Sequence, residues 1–426
     1  MAGLRTQQDP RFGLVPAVTR IAVSSALLVL LAIAAAGRAQ AQTYTVIHNF
    51  TGAGDGGAPY AGLTMDRSGN FYGTTTSGAG SKGTVFQLKR AGSGWILATL
   101  YAFQGGADGG TPFGGVIVGA DGSLYGMTDN GGSGCAPHGC GTVYRLRPQA
   151  SVCRAVSCPW SITTIYNFDY DGGGYPAYGN LTFDAAGNLY GAASSYGAYG
   201  DGTVFKLTPS NGSWTESVLW NFTGSADGAA PYSTVSFDSA GNLYGTAYAG
   251  GAENAGTVYE LSPSGAGWTE KTLYTFTGGS DGAQPVGGVA LDQHGNVFGT
   301  AIHGGSPGQG TAYELTPAGA GRTFAVLQNF SGYDGPFDTP ILDAAGNVYL
   351  TSAYSTLDGN IQAGGVYRLT QSNGEWNASA LYIFSGGNDG NIPAGSVIRD
   401  SNGNLYGTTV AGGSYGQGVI FEITPN

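Results

Sequence analysis

The sequence predicts an all-β fold, a seven-bladed β-propeller of four-stranded blades closed by its own N-terminal strand. Three observations lead to it: a hairpin motif that recurs seven times at nearly constant spacing, a composition poor in helix formers, and a repeat phase that begins on one strand type and stops on the type before it.

The motif is Asp-x-x-Gly-Asn followed by an aliphatic or aromatic residue and Tyr or Phe. It stands at Asp66–Tyr72, Asp184–Tyr190, Asp238–Tyr244, Asp292–Phe298, Asp343–Tyr349 and Asp400–Tyr406, with a degenerate copy from Gly119 to Tyr125. Measured between the turn glycines 69, 122, 187, 241, 295, 346 and 403, the copies lie 53, 65, 54, 54, 51 and 57 residues apart. A fixed period of this size marks a solenoid, a propeller or another array.

Composition agrees. Glycine supplies 78 of 426 residues, and charged residues are only 10%. Glu, Lys, Met and Gln are scarce, which excludes a helix-rich domain. Short runs of Val, Tyr, Phe and Thr, broken by Gly, Asp, Asn and Pro every ~8–12 residues, read as strands and turns.

Residues 1–41 are set apart from the repeats. Arg5, Arg11 and Arg20 precede the uncharged apolar run 21–36, and Ala39-Gln40-Ala41 offers small residues for cleavage, the layout of a signal peptide. Sixteen apolar residues are short for a membrane span of ~20. Cleavage after Ala41 would leave residues 42–426 as one repeat domain with 12 basic and 26 acidic residues, near −14. Such a charge argues against nucleic acid and anionic membrane surfaces as partners, both of which demand clustered Lys and Arg. A monomer in the periplasm or outside the cell is expected, without membrane insertion after cleavage.

Each unit offers four strands, A to D. Strand A is the short GLTMD type, and strand B begins at Asn-Leu-Tyr-Gly, the two joined by the Asp-x-x-Gly-Asn turn, where Gly tolerates a left-handed conformation. Strand C is the Thr-Val-Phe-x-Leu type, apolar on both faces and therefore suited to burial between neighbouring blades. Strand D ends in an aliphatic-aromatic-x-Phe pattern: Leu100–Phe103, Ile165–Phe168, Leu219–Phe222, Leu273–Phe276, Leu327–Phe330 and Leu381–Phe384. The seventh D pattern lies at the other end, in Tyr44–Phe50, while the last C strand, Val419–Ile423, closes the sequence. A ring needs that complementarity; an open solenoid does not.

Read this way, the chain resembles the Gloeo/Verruco (GloVer) tandem repeat of secreted bacterial proteins, whose consensus is close to GLxxDxxGNLYGTTxxGGxxxxGTVFxLTP. Gly62–Leu88, Val289–Leu315 and Val397–Ile423 match it best, and the resemblance covers essentially all of 43–426. It implies an extracellular propeller, often tethered by a C-terminal sorting anchor, and supplies no catalytic residues. This sequence shows no such anchor before Pro425-Asn426.

Asp-Gly with a nearby Pro recurs between strands D and A, at Asp55/Pro59, Asp108/Pro112, Asp171/Pro176, Asp227/Pro231, Asp281/Pro285, Asp334/Pro340 and Asp389/Pro393. Seven carboxylates on one face could hold a cation or ligand hydroxyls, but a motif present in every blade suits a local turn better. Residues that differ between blades make better site candidates. The D–A loops bring Tyr60, Phe113, Tyr178, Tyr232 and Phe337, and the B–C loops Asp129, Asn130, Tyr196, Tyr199, Tyr248, His303, Tyr354 and Tyr415. Aromatic platforms beside acceptor groups suit sugars. Tyr248, His303 and Tyr354, in successive blades, form the leading candidate patch, with Asp129, Tyr196 and Tyr415 beside them. The competing reading has these tyrosines simply packing between blades.

The four histidines match no zinc spacing, no nucleophile elbow or P-loop occurs, and no cofactor is expected. All four cysteines fall in the overlong second repeat, where export favours disulfides. B–C and C–D loops leave opposite ends of strand C, so Cys135–Cys140 and Cys153–Cys158 are the expected pairs, with zinc the alternative. Two functions remain open. One is a secreted, non-catalytic propeller that binds an extracellular glycan or protein. The other is a polysaccharide lyase or hydrolase, for which Asp129, Asp201, Glu253 and Asp358 are the irregular loop carboxylates.

Overall fold

The Asp-x-x-Gly-Asn turn is held by its own aspartate. In the first copy Asp66 Oδ1 accepts the Ser68 and Asn70 amides at 2.8 and 2.9 Å, and Oδ2 accepts the Asn70 amide side chain at 2.8 Å and the Tyr72 hydroxyl at 3.1 Å. Gly69 takes the left-handed conformation at φ +78°. The full set recurs at Asp184, Asp238, Asp343 and Asp400. One carboxylate thus satisfies the turn's free donors and ties strand A to strand B.

These hairpins are the inner halves of seven antiparallel four-stranded sheets, each ordered A-B-C-D. The first blade is typical: Thr64–Met65, Phe71–Thr75, Thr84–Ala91 and Gly94–Ala102. The structure, a computed structural model, describes residues 42–424 except 79, 136, 149–159, 172, 177, 266, 332–334, 354 and 358–359. The segment 1–41 and both Cys153 and Cys158 therefore lie outside the described residues.

The seventh blade is composite. Ile398–Arg399, Leu405–Thr409 and Val419–Thr424 supply its first three strands, and Thr43–Asn49 is the fourth. Thr43 pairs with Thr424 and Val46 with Phe421. In every D strand the register skips one residue, the aliphatic of its pattern: Ile47, Leu100, Ile165, Leu219, Leu273, Leu327 and Leu381. Such a bulge bends and twists the outermost strand.

Blades stack through one repeated aromatic contact. The Phe that ends each D strand meets the strand-C aromatic of the next blade, with ring centroids 5.1–5.6 Å apart and the rings steeply inclined, from Phe50–Phe86 through Phe103–Tyr144, Phe168–Phe205, Phe222–Tyr259, Phe276–Tyr313 and Phe330–Tyr367 to Phe384–Phe421. The glycine of Asn-Leu-Tyr-Gly makes room for that ring. A Cβ on Gly73 would stand 2.5 Å from the Phe86 ring.

Two features were not anticipated. The C and D strands run beyond the short sequence patterns into long outer hairpins, where alternating polar and half-buried residues such as those of Ser213–Asn221 cover only one face. Blade six also inserts a small hairpin, Ser355–Leu357 with Asn360–Gln362, into its B–C loop.

Candidate functional site

D–A and B–C loops emerge on the same face and pair with each other within a blade, as Gly57 with Ser77, Gly110 with Asn130, Ala229 with Ala249 and Ala283 with His303. Toward the axis the D–A loops of all seven blades surround a funnel of about 280 Å³. Two tiers of the repeat build its wall. The residues after the loop proline, or one further on in blade three, are Tyr60, Phe113, Tyr178, Tyr232, Val286, Phe337 and Ala394; the residues after those are Ala61, Gly114, Gly179, Ser233, Gly287, Asp338 and Gly395.

The first tier forms a continuous aromatic belt over four blades. Tyr60 packs edge-on against Phe113 at 5.3 Å, Phe113 against Tyr178 at 5.2 Å, and Tyr178 against Tyr232 at 5.5 Å. Tyr248, from a B–C loop, extends it by packing on Tyr232 at 5.3 Å. Tyr178 remains 44% exposed, a large ring held open to solvent.

At its glycines the second tier is packed too closely for a side chain. A Cβ on Gly114 would lie 2.3 Å from the Gly179 carbonyl oxygen, and one on Gly287 2.0 Å from that of Asp338. Strand-B threonines tie the tier to the preceding blade: Thr74 donates to the carbonyl of Gly114, Thr246 to Gly287, Thr300 to Asp338, Thr351 to Gly395 and Thr408 to Ala61.

Asp338 breaks this tier of small residues. It is 3% exposed yet borders the funnel. Its Oδ2 accepts the Thr351 amide at 3.0 Å, while Oδ1 has no hydrogen-bond partner. Burial, opposed by the bonds from Thr351, pushes its pKa up to about 7. In blade four the Ser233 hydroxyl makes the equivalent bond to the Thr246 amide at 3.1 Å. A hydroxyl therefore suffices for the structural task, and the carboxyl adds an oxygen with nothing to bind. Among the described residues, the lining includes no Lys, Arg or His.

The sequence candidates fall in several places. Tyr248 joins the aromatic belt. Asp129 occupies the same B–C loop position in blade two; burial raises its pKa, and its charge is felt by Tyr178 and Tyr232. His303 stands one residue further along its loop, exchanging backbone bonds with Ala283 at 2.8 and 3.1 Å. Tyr196 packs between Tyr170 and Tyr175 at 4.9 and 5.9 Å. Tyr415 is 62% exposed. Tyr354 lies outside the described residues.

The repeated Asp-Gly carboxylates of Asp55, Asp108, Asp227, Asp281 and Asp389 are engaged in turns, while Asp334 lies outside the described residues. Asp281 accepts the Tyr274 hydroxyl at 2.9 Å and the Thr277 amide and hydroxyl at 2.8 and 2.6 Å. Asp389 does the same with Tyr382 and Ser385, and Asp227 accepts the Trp220 indole and the Thr223 amide. Cys135 and Cys140 form a disulfide with Cα atoms 5.4 Å apart, as the loop geometry required.

Sequence reasoning missed Asp338. Pairing Asp334 with Pro340 set blade six four residues out of register, whereas Pro336 is the residue that precedes the belt position of Phe337. Aligning on the belt aromatic instead would have shown one carboxylate in a column otherwise of Ala, Gly and Ser.

A protein from Bacteroides uniformis provisionally named a 6-phosphogluconolactonase matches the fold at 14% identity and TM-score 0.47, over 76% of this chain and 85% of its own. A protein of unknown function from Dyadobacter fermentans matches at 12% and 0.43, over 77% and 98%. A Xanthomonas campestris gluconolactonase matches at 13% and 0.37, over 62% and 80%. At such identities and scores these neighbours bear on neither substrate nor chemistry. No curated protein matches the chain in sequence. The model of the Gloeobacter/Verrucomicrobia repeat matches residues 36–157 and 156–351. With the repeat, the blade and the aromatic ring contact all recurring in that register, the chain belongs to the Gloeobacter/Verrucomicrobia repeat family.

Proposed function

We propose that this propeller acts outside the cytoplasm as a binding protein that takes the end of a glycan chain into its axial funnel. The observation that carries the reading is the juxtaposition of the open aromatic belt, from Tyr60 to Tyr248, with one carboxyl whose Oδ1 is unpartnered. Tyrosine and phenylalanine rings stack on the C–H faces of a sugar, and a small number of placed polar groups fix its hydroxyls. A volume of about 280 Å³ suits one or two sugar units. The disulfide and the leader-like residues 1–41 support an extracytoplasmic setting.

A second reading, a carbohydrate-active enzyme, is favoured by one observation: Asp129 and Asp338 both have raised pKa values on the same face, as a general acid requires. Titrating a panel of oligosaccharides while assaying release of reducing or unsaturated ends separates the two. Binding without release supports a binding protein, release abolished in both Asp129→Asn and Asp338→Asn supports the enzyme, and neither result in any member of the panel removes the glycan reading.

A further inference from the structure

The funnel is chemically lopsided. Its wall is aromatic from Tyr60 through Phe113 to Tyr178, closed on the other side by Val286, Phe337 and Ile392, and among the described lining residues Asp338 is the one side chain that can carry a full charge below the range of tyrosine ionisation. With no Lys, Arg or His among the described lining residues, an anionic group entering the funnel would meet no positive side chain to offset its charge. A neutral hydroxyl could donate a hydrogen bond to that carboxyl but would not balance its charge.

The comparison between blades four and six sharpens this. Ser233 and Asp338 occupy the same repeat position and bond the same strand-B amide, of Thr246 and Thr351, at 3.1 and 3.0 Å. The difference between them is the second oxygen, Oδ1, which is closed off from solvent and unbonded. A buried carboxyl left half-satisfied costs stability, and a donor that carries positive charge compensates it best. Ring faces add to that preference, since the negative face of a Tyr or Phe attracts a cation within about 6 Å.

From these observations we propose that the ligand of the axial funnel carries a protonated amino group, an amino sugar in the setting of the glycan reading, with the ammonium directed to Asp338 and its carbon skeleton against the aromatic belt. The class proposed rests on the funnel being a binding site; that the ammonium sits on a sugar rests on the glycan reading.

Three disaccharides with the same β-1,4 linkage test it, differing only at carbon 2 of each ring: the glucosamine dimer with ammonium, cellobiose with hydroxyl, and the N-acetylglucosamine dimer with acetamide. Butylammonium and 1-butanol form a second pair without a sugar. Each is titrated at pH 7 into the purified protein and into Asp338→Ser, which keeps the amide bond as Ser233 does. For the unsubstituted protein, the glucosamine dimer is expected to bind at least tenfold tighter than the other two and butylammonium at least tenfold tighter than butanol. In Asp338→Ser both preferences should shrink to within twofold with no fall in melting temperature. Equal affinity for the three disaccharides, or a preference that survives in Asp338→Ser, overturns the ammonium assignment and leaves glycan binding standing. Discrimination of the butyl pair with no disaccharide bound overturns the glycan reading and keeps the ammonium; no binding of any probe overturns both.

Discussion

Phe50 meets Phe86 with ring centroids 5.3 Å apart, the same contact that joins every other pair of neighbouring blades. Phe50 belongs to the strand that completes the seventh blade and Phe86 to the first, so this pair joins the blade completed by the N-terminal strand to blade one. The ring is held at that point by hydrophobic burial and strand pairing.

Removing residues 43–50 should therefore open the ring. The deletion takes away the pairing of Thr43–Asn49 with Val419–Thr424, the stacking of Tyr44 on Tyr382 at 3.8 Å, and the fully buried Phe50. Loss of cooperative melting or self-association is expected, read by calorimetry and gel filtration. Phe50→Ala alone should cost about 3–5 kcal/mol.

Three strand-C tyrosines make a contrasting case. The hydroxyls of Tyr144, Tyr259 and Tyr313 are buried without a hydrogen-bond partner, where blades one, three and seven carry Phe86, Phe205 and Phe421. An unmet buried hydroxyl costs about 1–3 kcal/mol. Tyr259→Phe and Tyr313→Phe are expected to hold or raise the melting temperature; a marked drop would show that the hydroxyl is satisfied in solution.

Acid should loosen the hairpins. Burial alone would raise the carboxyls of Asp66, Asp184, Asp238 and Asp343, but hydrogen bonds from the following Asn and nearby amides prevail and hold them below the usual carboxylate range. A lowered folded-state pKa contributes stability that is present above the unfolded value of ~3.9 and is lost as pH falls through the folded value. The melting temperature should decline steeply below pH 4, and Asp184→Asn with Asp238→Asn should flatten that decline.

Asp338 has the opposite sign. Burial raises it to about 7, so the folded state holds a proton that the unfolded state has already released, and stability is lost as pH rises from about 4 to 7. Asp338→Ser should therefore gain stability relative to the unsubstituted protein more at pH 8 than at pH 4. A constant difference across that range would mean that Asp338 titrates normally.

Much of the fold could be read from sequence because the copies repeat one physical solution: an aspartate closes the hairpin in every blade but the second, a glycine admits a ring in every blade but the sixth, where Leu350 stands, and the same Phe contacts the next blade throughout. Ring closure followed from the displaced D pattern at Tyr44–Phe50. The site was less legible because it depends on departures from the repeat. Tyr248 and Asp129 share a loop position, whereas His303 lies one residue on, and alternation along extended backbone separates such neighbours. Asp338 was hidden by Pro340, which resembles the loop proline, and the blade-six hairpin had no counterpart in other blades.

The central claim is that recognition takes place in the axial funnel. Titrating the bound oligosaccharide against Tyr178→Ala and Tyr415→Ala tests it most directly, since the first ring lies in the belt and the second is an exposed loop residue outside the funnel lining. Tyr178→Ala should weaken binding at least tenfold with little change in melting temperature, and Tyr415→Ala should leave affinity within twofold. Retained affinity in Tyr178→Ala together with loss in Tyr415→Ala would place the ligand outside the funnel and contradict the account.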